Sequence, residues 1–91
     1  MNHIYEAKTE YDNAIQINMN GLEKFPDSEA LCINLGNIYS LKKDTLAAIR
    51  YFEQAININP GNHDLCKHVA EVYQLLGDSA KAKSFYEKVK L

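Results

Sequence analysis

Histidine and cysteine are the residues of this chain with the widest chemistry at neutral pH. His3, His63 and His68 are the candidates for acid–base catalysis. His63 precedes Cys66 by three residues, so a helix would place both on one face as two potential metal ligands. No third ligand follows at a fixed spacing, and the pattern predicts no metal site.

Other catalytic signals are weak. No serine or cysteine stands in a turn motif beside a plausible base, and no glycine-rich loop could hold a phosphate. A chain of 91 residues also has a thin core, with little room for a deep, dry cavity. The sequence therefore predicts no enzyme and no cofactor. Cys32 and Cys66 have no CxxC partner, which favours reduced thiols in a reducing compartment.

The charge balance argues against nucleic acid as a partner. Ten Lys and Arg against 12 Asp and Glu give a formal net charge of -2. The lysines near the C-terminus fit a solvated helix end favoured by the helix dipole. The sequence has no stretch of about 18 apolar residues, and its start lacks a basic segment followed by an apolar one. We therefore expect no membrane segment and a cytoplasmic location, unless the chain was cut from a larger exported protein.

The structural elements that position any functional residue occur as an internal repeat along the chain. Sliding the sequence against itself by 34 residues gives an ungapped register, which occurs about two and a half times. Its identical pairs are Leu31/Leu65, Cys32/Cys66, Tyr39/Tyr73, Leu41/Leu75, Asp44/Asp78, Ala48/Ala82 and Glu53/Glu87.

Each unit contains two helices, because its apolar residues recur every three or four positions. Pro26 and Pro60 separate the units, and nearby polar side chains can cap the following helices. The predicted helices span 2–8, 10–24, 28–41, 45–58, 63–76 and 79–90.

A 34-residue, two-helix unit resembles the tetratricopeptide repeat. The middle unit matches at Cys32, Leu35, Gly36, Tyr39, Ala48, Phe52, Ala55 and Pro60. The resemblance implies one all-α domain over 1–91, a right-handed α–α superhelix of a partial repeat (1–28) and two repeats (29–62 and 63–91). The first unit departs from the pattern at Asn18, where an aromatic residue is usual.

The small and aromatic residues of the pattern are expected to form the core. Gly36 and Ala48 allow two helices to approach closely, and Tyr39 and Phe52 fill the space beside them. In this arrangement Cys32 and its repeat equivalent are buried and too far apart for a disulfide.

The resemblance also implies that the first helix of each unit lines a concave groove. The residues predicted to face a protein or peptide partner there are Ile33, Asn34, Asn37, Leu41, Lys67, His68 and Glu71. An amide side chain can hydrogen-bond the backbone of an extended peptide, which favours Asn34 and Asn37 as binding residues. The alternative is that both are ordinary exposed polar residues.

Some members of the family bind the C-terminal carboxylate of chaperones through five Lys, Asn and Arg residues. Asn34 matches one of those positions, but Asp64 and His68 stand at the third-repeat basic positions. The first-repeat Lys position would precede Met1. One match in five argues against capture of a chaperone tail.

Two functions follow from this sequence. The first is a protein-interaction module, monomeric or self-associating, that presents its groove to a peptide or helix. The alternative is an assembly module that forms a homo-oligomer, or packs on the rest of a longer polypeptide, through its terminal helices. Apolar residues in the last helix pair, about 73–91, favour this second possibility unless lysines cap that end. They include Ala80, Phe85, Val89 and Leu91.

Overall fold

Five α-helices account for most of the chain. The computed structural model describes residues 6–89 in backbone and 10–88 in side chains, and this part contains no strand. The helices are α1 (Glu6–Lys24), α2 (Glu29–Leu41), α3 (Thr45–Ile58), α4 (His63–Leu75) and α5 (Ser79–Val89). α2 pairs with α3 and α4 pairs with α5, while α1 packs on α2. The all-α prediction and the paired helices of a repeat superhelix are confirmed.

Side-chain caps begin the helices at equivalent positions of the repeat. Ser28 accepts a hydrogen bond from the Leu31 amide at 3.2 Å and starts α2. One repeat later, Asn62 accepts from the Leu65 amide at the same distance and starts α4. Asp44 caps α3 in the same way. These bonds satisfy amides that the first helical turn leaves free.

The turns inside the two complete units share one backbone conformation. Lys43 and Gly77, 34 residues apart, have φ angles of 68° and 86°. In both turns the next residue donates its amide to a carbonyl five residues earlier, at 2.9 Å. This hydrogen bond closes the end of the first helix and reverses the chain.

The first helix differs from the prediction. Separate helices over 2–8 and 10–24 were expected, but α1 is continuous from Glu6, and residues 2–5 lie outside the described part. The expected turn would place Thr9 at the repeat position of Lys43, with a positive φ. That conformation is strongly disfavoured for a β-branched residue, so the helix continues through this position.

The core lies among α2, α3 and α4. A β-carbon at Gly36 would lie 2.5 Å from Cε1 of Phe52, so this glycine lets the ring close over α2. Cys32 and Cys66 are free thiols with no exposed surface, as predicted. The central buried cluster consists of Cys32, Ala48, Phe52, Ala55, Ile56, Leu65, Cys66 and Val69.

Stacked aromatic rings join the two helices of each complete unit. Tyr39 stacks on Tyr51 with ring centroids 5.7 Å apart, and Tyr73 stacks on Phe85 at 5.8 Å. The corresponding residue of the first unit is Ile17, which is 69% exposed. The described part of the chain therefore stacks no aromatic ring on this side of α1.

Candidate binding groove between α2 and α4

A groove separates the first helices of the two complete units. α2 packs against α1 and α3, and α4 packs against α3 and α5, whereas no Cα atoms of α2 and α4 come within 8 Å of each other. Side chains of α3 form the floor between them, and two cavities open along the groove. We call the space between α2 and α4 the α2–α4 groove.

The first cavity lies toward the N-terminal ends of α2 and α4. It has a volume of about 270 Å³ and combines polar side chains with an apolar floor. Its lining residues are Ile33, Asn37, Phe52, Asn62, Asp64, Leu65 and His68. We call it the polar end of the groove.

The second cavity lies toward the C-terminal ends of the same helices. It has a volume of about 320 Å³, and no acidic or basic side chain other than His68 lines it. Its lining residues are Ser40, Thr45, Ala48, Ile49, Phe52, His68, Val72, Leu75 and Leu76. We call it the apolar end of the groove.

His68 and Phe52 join the two ends. Both residues line both cavities. The imidazole meets the phenyl ring edge to face, with centroids 5.2 Å apart and planes at 89°. This geometry is favourable for aromatic pairs. It places an exposed polar ring over the buried Phe52, at the boundary between the polar and apolar ends.

The structure brings three of the predicted groove residues together. Ile33, Asn37 and His68 line the polar end. Asn34 is exposed, and its Nδ2 donates to Oδ1 of Asn18 on α1 at 3.5 Å. The remaining predicted residues are exposed and line neither cavity; they are Leu41, Lys67 and Glu71.

Apart from His68, the residues that form the floor and the apolar end were not among the predicted groove residues. Phe52 and Ile49 come from α3, which the prediction treated only as core. Leu75 is the repeat equivalent of the predicted groove residue Leu41, so the 34-residue register contained a signal for it. Leu75 is 87% exposed and Leu76 is 49% exposed, although both are large apolar side chains.

A hydrogen-bond network fixes the polar end to the neighbouring turn. The Glu29 carboxylate accepts from Nδ2 of Asn59 at 3.0 Å and from Nδ2 of Asn62 at 2.8 Å. Because Asn62 also caps α4, both parts of its amide are used within the chain. Asp64 and Asn37 have no side-chain hydrogen bond to other described residues, and the one ion pair within this part joins Lys42 to Asp12. Asp64 and Asn37 are therefore available to a ligand.

A second polar pair lies on another side of α3. The Tyr73 hydroxyl donates a hydrogen bond to the Glu53 carboxylate. Burial, together with this hydrogen bond and the negative charge of Glu53, raises the pKa of Tyr73 to about 12. The phenol therefore keeps its proton at neutral pH and joins α4 to α3.

Two features are absent from the described residues. No group of three His, Cys, Asp or Glu side chains in that part of the chain is arranged to hold a metal ion. None of its helices combines the length and the apolar character that crossing a membrane requires.

Comparison with known proteins supports the repeat architecture. Two tetratricopeptide repeat profiles match residues 30–62 and 64–90, which together make up about two thirds of the chain. The chain belongs to the tetratricopeptide repeat family, whose repeats generally mediate protein–protein interactions and are typically not catalytic. No curated protein matches the sequence significantly.

Proposed function

We propose that this chain is a protein-interaction module that binds a peptide segment of its partner in the α2–α4 groove. The observation that carries the proposal is the separation of α2 from α4, whose Cα atoms stay more than 8 Å apart and leave two adjoining cavities above Phe52. A segment lying there would contact both complete repeats. Binding, rather than catalysis, is the role of these residues.

Asn37 is the residue best suited to hold a peptide backbone. It lines the polar end and is exposed, with no side-chain hydrogen bond to the described residues. Its amide has a donor and an acceptor, so it can pair with one peptide unit of an extended ligand. Asn34 lines neither cavity, but its bond to Asn18 uses only its Nδ2 group, which leaves an acceptor for a ligand that extends from the polar end toward α1.

Nuclear magnetic resonance tests the location of the site. Peptides selected on the protein from a random display library would be titrated into ¹⁵N-labelled protein. The proposal predicts that the largest shift changes fall on α2 and α4, around Asn37 and His68. Shift changes confined to α1 or α5 would contradict the groove as the site.

A second function, as an assembly module, rests on α1. Ile17 is 69% exposed, whereas Tyr51 and Phe85 at the same repeat position are partly buried in ring stacks. A helix of another polypeptide could cover this surface. Ile17→Ser should then abolish any concentration-dependent increase in mass seen by sedimentation equilibrium, while Gln16→Ser, the exposed neighbouring position, should not.

Association through residues 73–91 stays a prediction. Within this segment Phe85 is partly buried on Tyr73, and the Lys88 ammonium lies 5.2 Å from the Phe85 ring centroid. Ala80 is exposed, and the side chains of Val89 and Leu91 lie outside the described part. Lys83 takes the repeat position of Ile49, where α3 has an apolar residue.

A further inference from the structure

The two ends of the α2–α4 groove differ in charge as well as in polarity. At the polar end Asp64 is exposed and has no ion-pair partner among the described residues. Glu29 accepts a hydrogen bond from Asn62, which lines this cavity, and its two side-chain donors, Asn59 and Asn62, are neutral amides. No Lys or Arg side chain lines either cavity. The polar end is therefore negatively charged.

The apolar end favours an apolar side chain of the ligand. Its walls include Ile49, Val72, Leu75 and Leu76, and its volume of about 320 Å³ can accommodate an aliphatic or aromatic side chain. Leu75 exposes most of its surface, and Leu76 exposes about half. Covering such surface removes apolar area from water, which favours binding. A charged side chain would gain no partner here and would lose water.

We infer that the segment bound in the α2–α4 groove carries a basic side chain, Lys or Arg, at the polar end and a leucine-like apolar side chain at the apolar end. This inference rests on the proposed function. The basic group pairs with Asp64, and the apolar side chain packs among Leu75, Leu76 and Val72.

The length of the groove sets the spacing of these two residues. Asp64 and Leu75 are eleven residues apart on one helix, which corresponds to about 16 Å along its axis. An extended peptide spans that distance with about five residues. We therefore expect the basic and apolar residues of the ligand to be separated by about five positions.

Selection and affinity measurements test the inference with the intact chain. Peptides would be selected on the protein from a random display library, and the enriched sequences would be synthesised with a fluorescent label. We expect Lys or Arg to be enriched about five positions from Leu, Ile, Met or Phe. Exchanging the basic residue for Glu, or the apolar one for Ser, should weaken binding about tenfold.

Matched variants of the protein assign each contact. Asp64→Asn should weaken binding about fivefold and reduce its dependence on salt, because it removes the charge pair. Glu87→Gln on α5, an exposed position outside the groove, should have no effect. Leu75→Ser should weaken binding similarly without changing the salt dependence. Leu46→Ser, at a leucine on α3 that lines neither cavity, is its control.

The outcomes separate this inference from the proposed function. Selected peptides that shift α2 and α4 resonances but are acidic or uncharged would overturn the inference and leave the groove as the binding site. Equal effects of Asp64→Asn and Glu87→Gln on the affinity would also overturn the inference and leave the groove as the binding site. Peptides that bind elsewhere, or a selection that enriches none, would overturn both.

Discussion

The Nδ2 atom of Asn34 donates to Oδ1 of Asn18 at 3.5 Å, one repeat before the edge-to-face contact of His68 with Phe52. The two pairs occupy equivalent positions of the repeat, because Asn34 is 34 residues from His68 and Asn18 is 34 residues from Phe52. Asn18 also donates to the carbonyl of Ala14 at 2.7 Å, which holds its oxygen toward Asn34. An amide pair thus replaces an aromatic pair between the first and second units.

Equivalent substitutions at these positions should have very different effects on stability. Phe52→Ala removes a buried ring and should lower the free energy of unfolding by about 3–5 kcal/mol. Asn18→Ala removes hydrogen bonds of a partly exposed side chain and should cost about 1 kcal/mol or less. Urea denaturation measures both. Comparable losses would contradict the weak packing of the Asn18 position.

A second pair of variants tests helix packing at glycine. In Gly36→Ala the new β-carbon would lie 2.5–2.9 Å from three ring atoms of Phe52, which is held in the core. We expect a net loss of about 1 kcal/mol or more, despite the better helix propensity of alanine.

Gly21→Ala is the control for this packing test. Its β-carbon would meet the end of the Leu31 side chain, with the nearest methyl carbon at 2.9 Å. That side chain is only partly buried and can turn aside, so the variant should be as stable as the wild type or more so. A Gly36→Ala protein that is as stable as Gly21→Ala would contradict the close approach to Phe52.

The sequence predicted the last four helices almost to the residue. α3 has the predicted bounds, α2 and α4 differ from them by one residue at one end, and α5 follows the prediction to Val89, where the described part ends. Their caps and turns follow residue types that are visible in the sequence, such as Ser28 and Gly77. The predicted helix over 10–24 ends where α1 ends, but the predicted break before residue 10 was wrong, because the repeat register was extended to a turn that Thr9 does not favour. The cytoplasmic location stays a prediction.

The groove was only partly predictable. Helical spacing identifies the exposed faces of α2 and α4, which contain Asn37 and His68. It does not give the separation of the two helices, which depends on how both pack against α3. For this reason the contribution of Phe52 to the floor, and the cavity beside Leu75, emerge only from the structure.

The Tyr73–Glu53 hydrogen bond should make stability sensitive to alkaline pH. A tyrosine in the unfolded chain ionises near pH 10, whereas the folded pKa of Tyr73 is about 12. Between these values the unfolded state binds fewer protons than the folded state. The stabilisation is therefore complete below about pH 10 and is lost as the pH rises toward about 12.

Tyr73→Phe isolates this effect. Burial also raises the pKa of Tyr51, so the informative quantity is the difference in unfolding free energy between the variant and the wild type. Urea denaturation between pH 8 and about 11.5 should show the advantage of the wild type shrinking above about pH 10. A difference that stays constant over this range would contradict the raised pKa.

Both thiols should be unreactive in the folded protein. Cys32 and Cys66 have no exposed surface, and burial raises the pKa of Cys32, which disfavours its thiolate. A thiol reagent should label them slowly in buffer and rapidly in urea. Rapid labelling of both without denaturant would show that the contact between the repeats opens readily.

The most direct test of the central claim is the affinity of Asn34→Ala/Asn37→Ala for a peptide selected on the wild-type protein, measured by isothermal titration calorimetry. Asn13→Ala/Asn57→Ala is the control, because both of its positions are exposed and lie on α1 and α3, away from the cavities. The groove variant should bind about 1–3 kcal/mol more weakly, with a nearly unchanged melting temperature. Equal affinity of the two double variants would contradict the α2–α4 groove as the binding site.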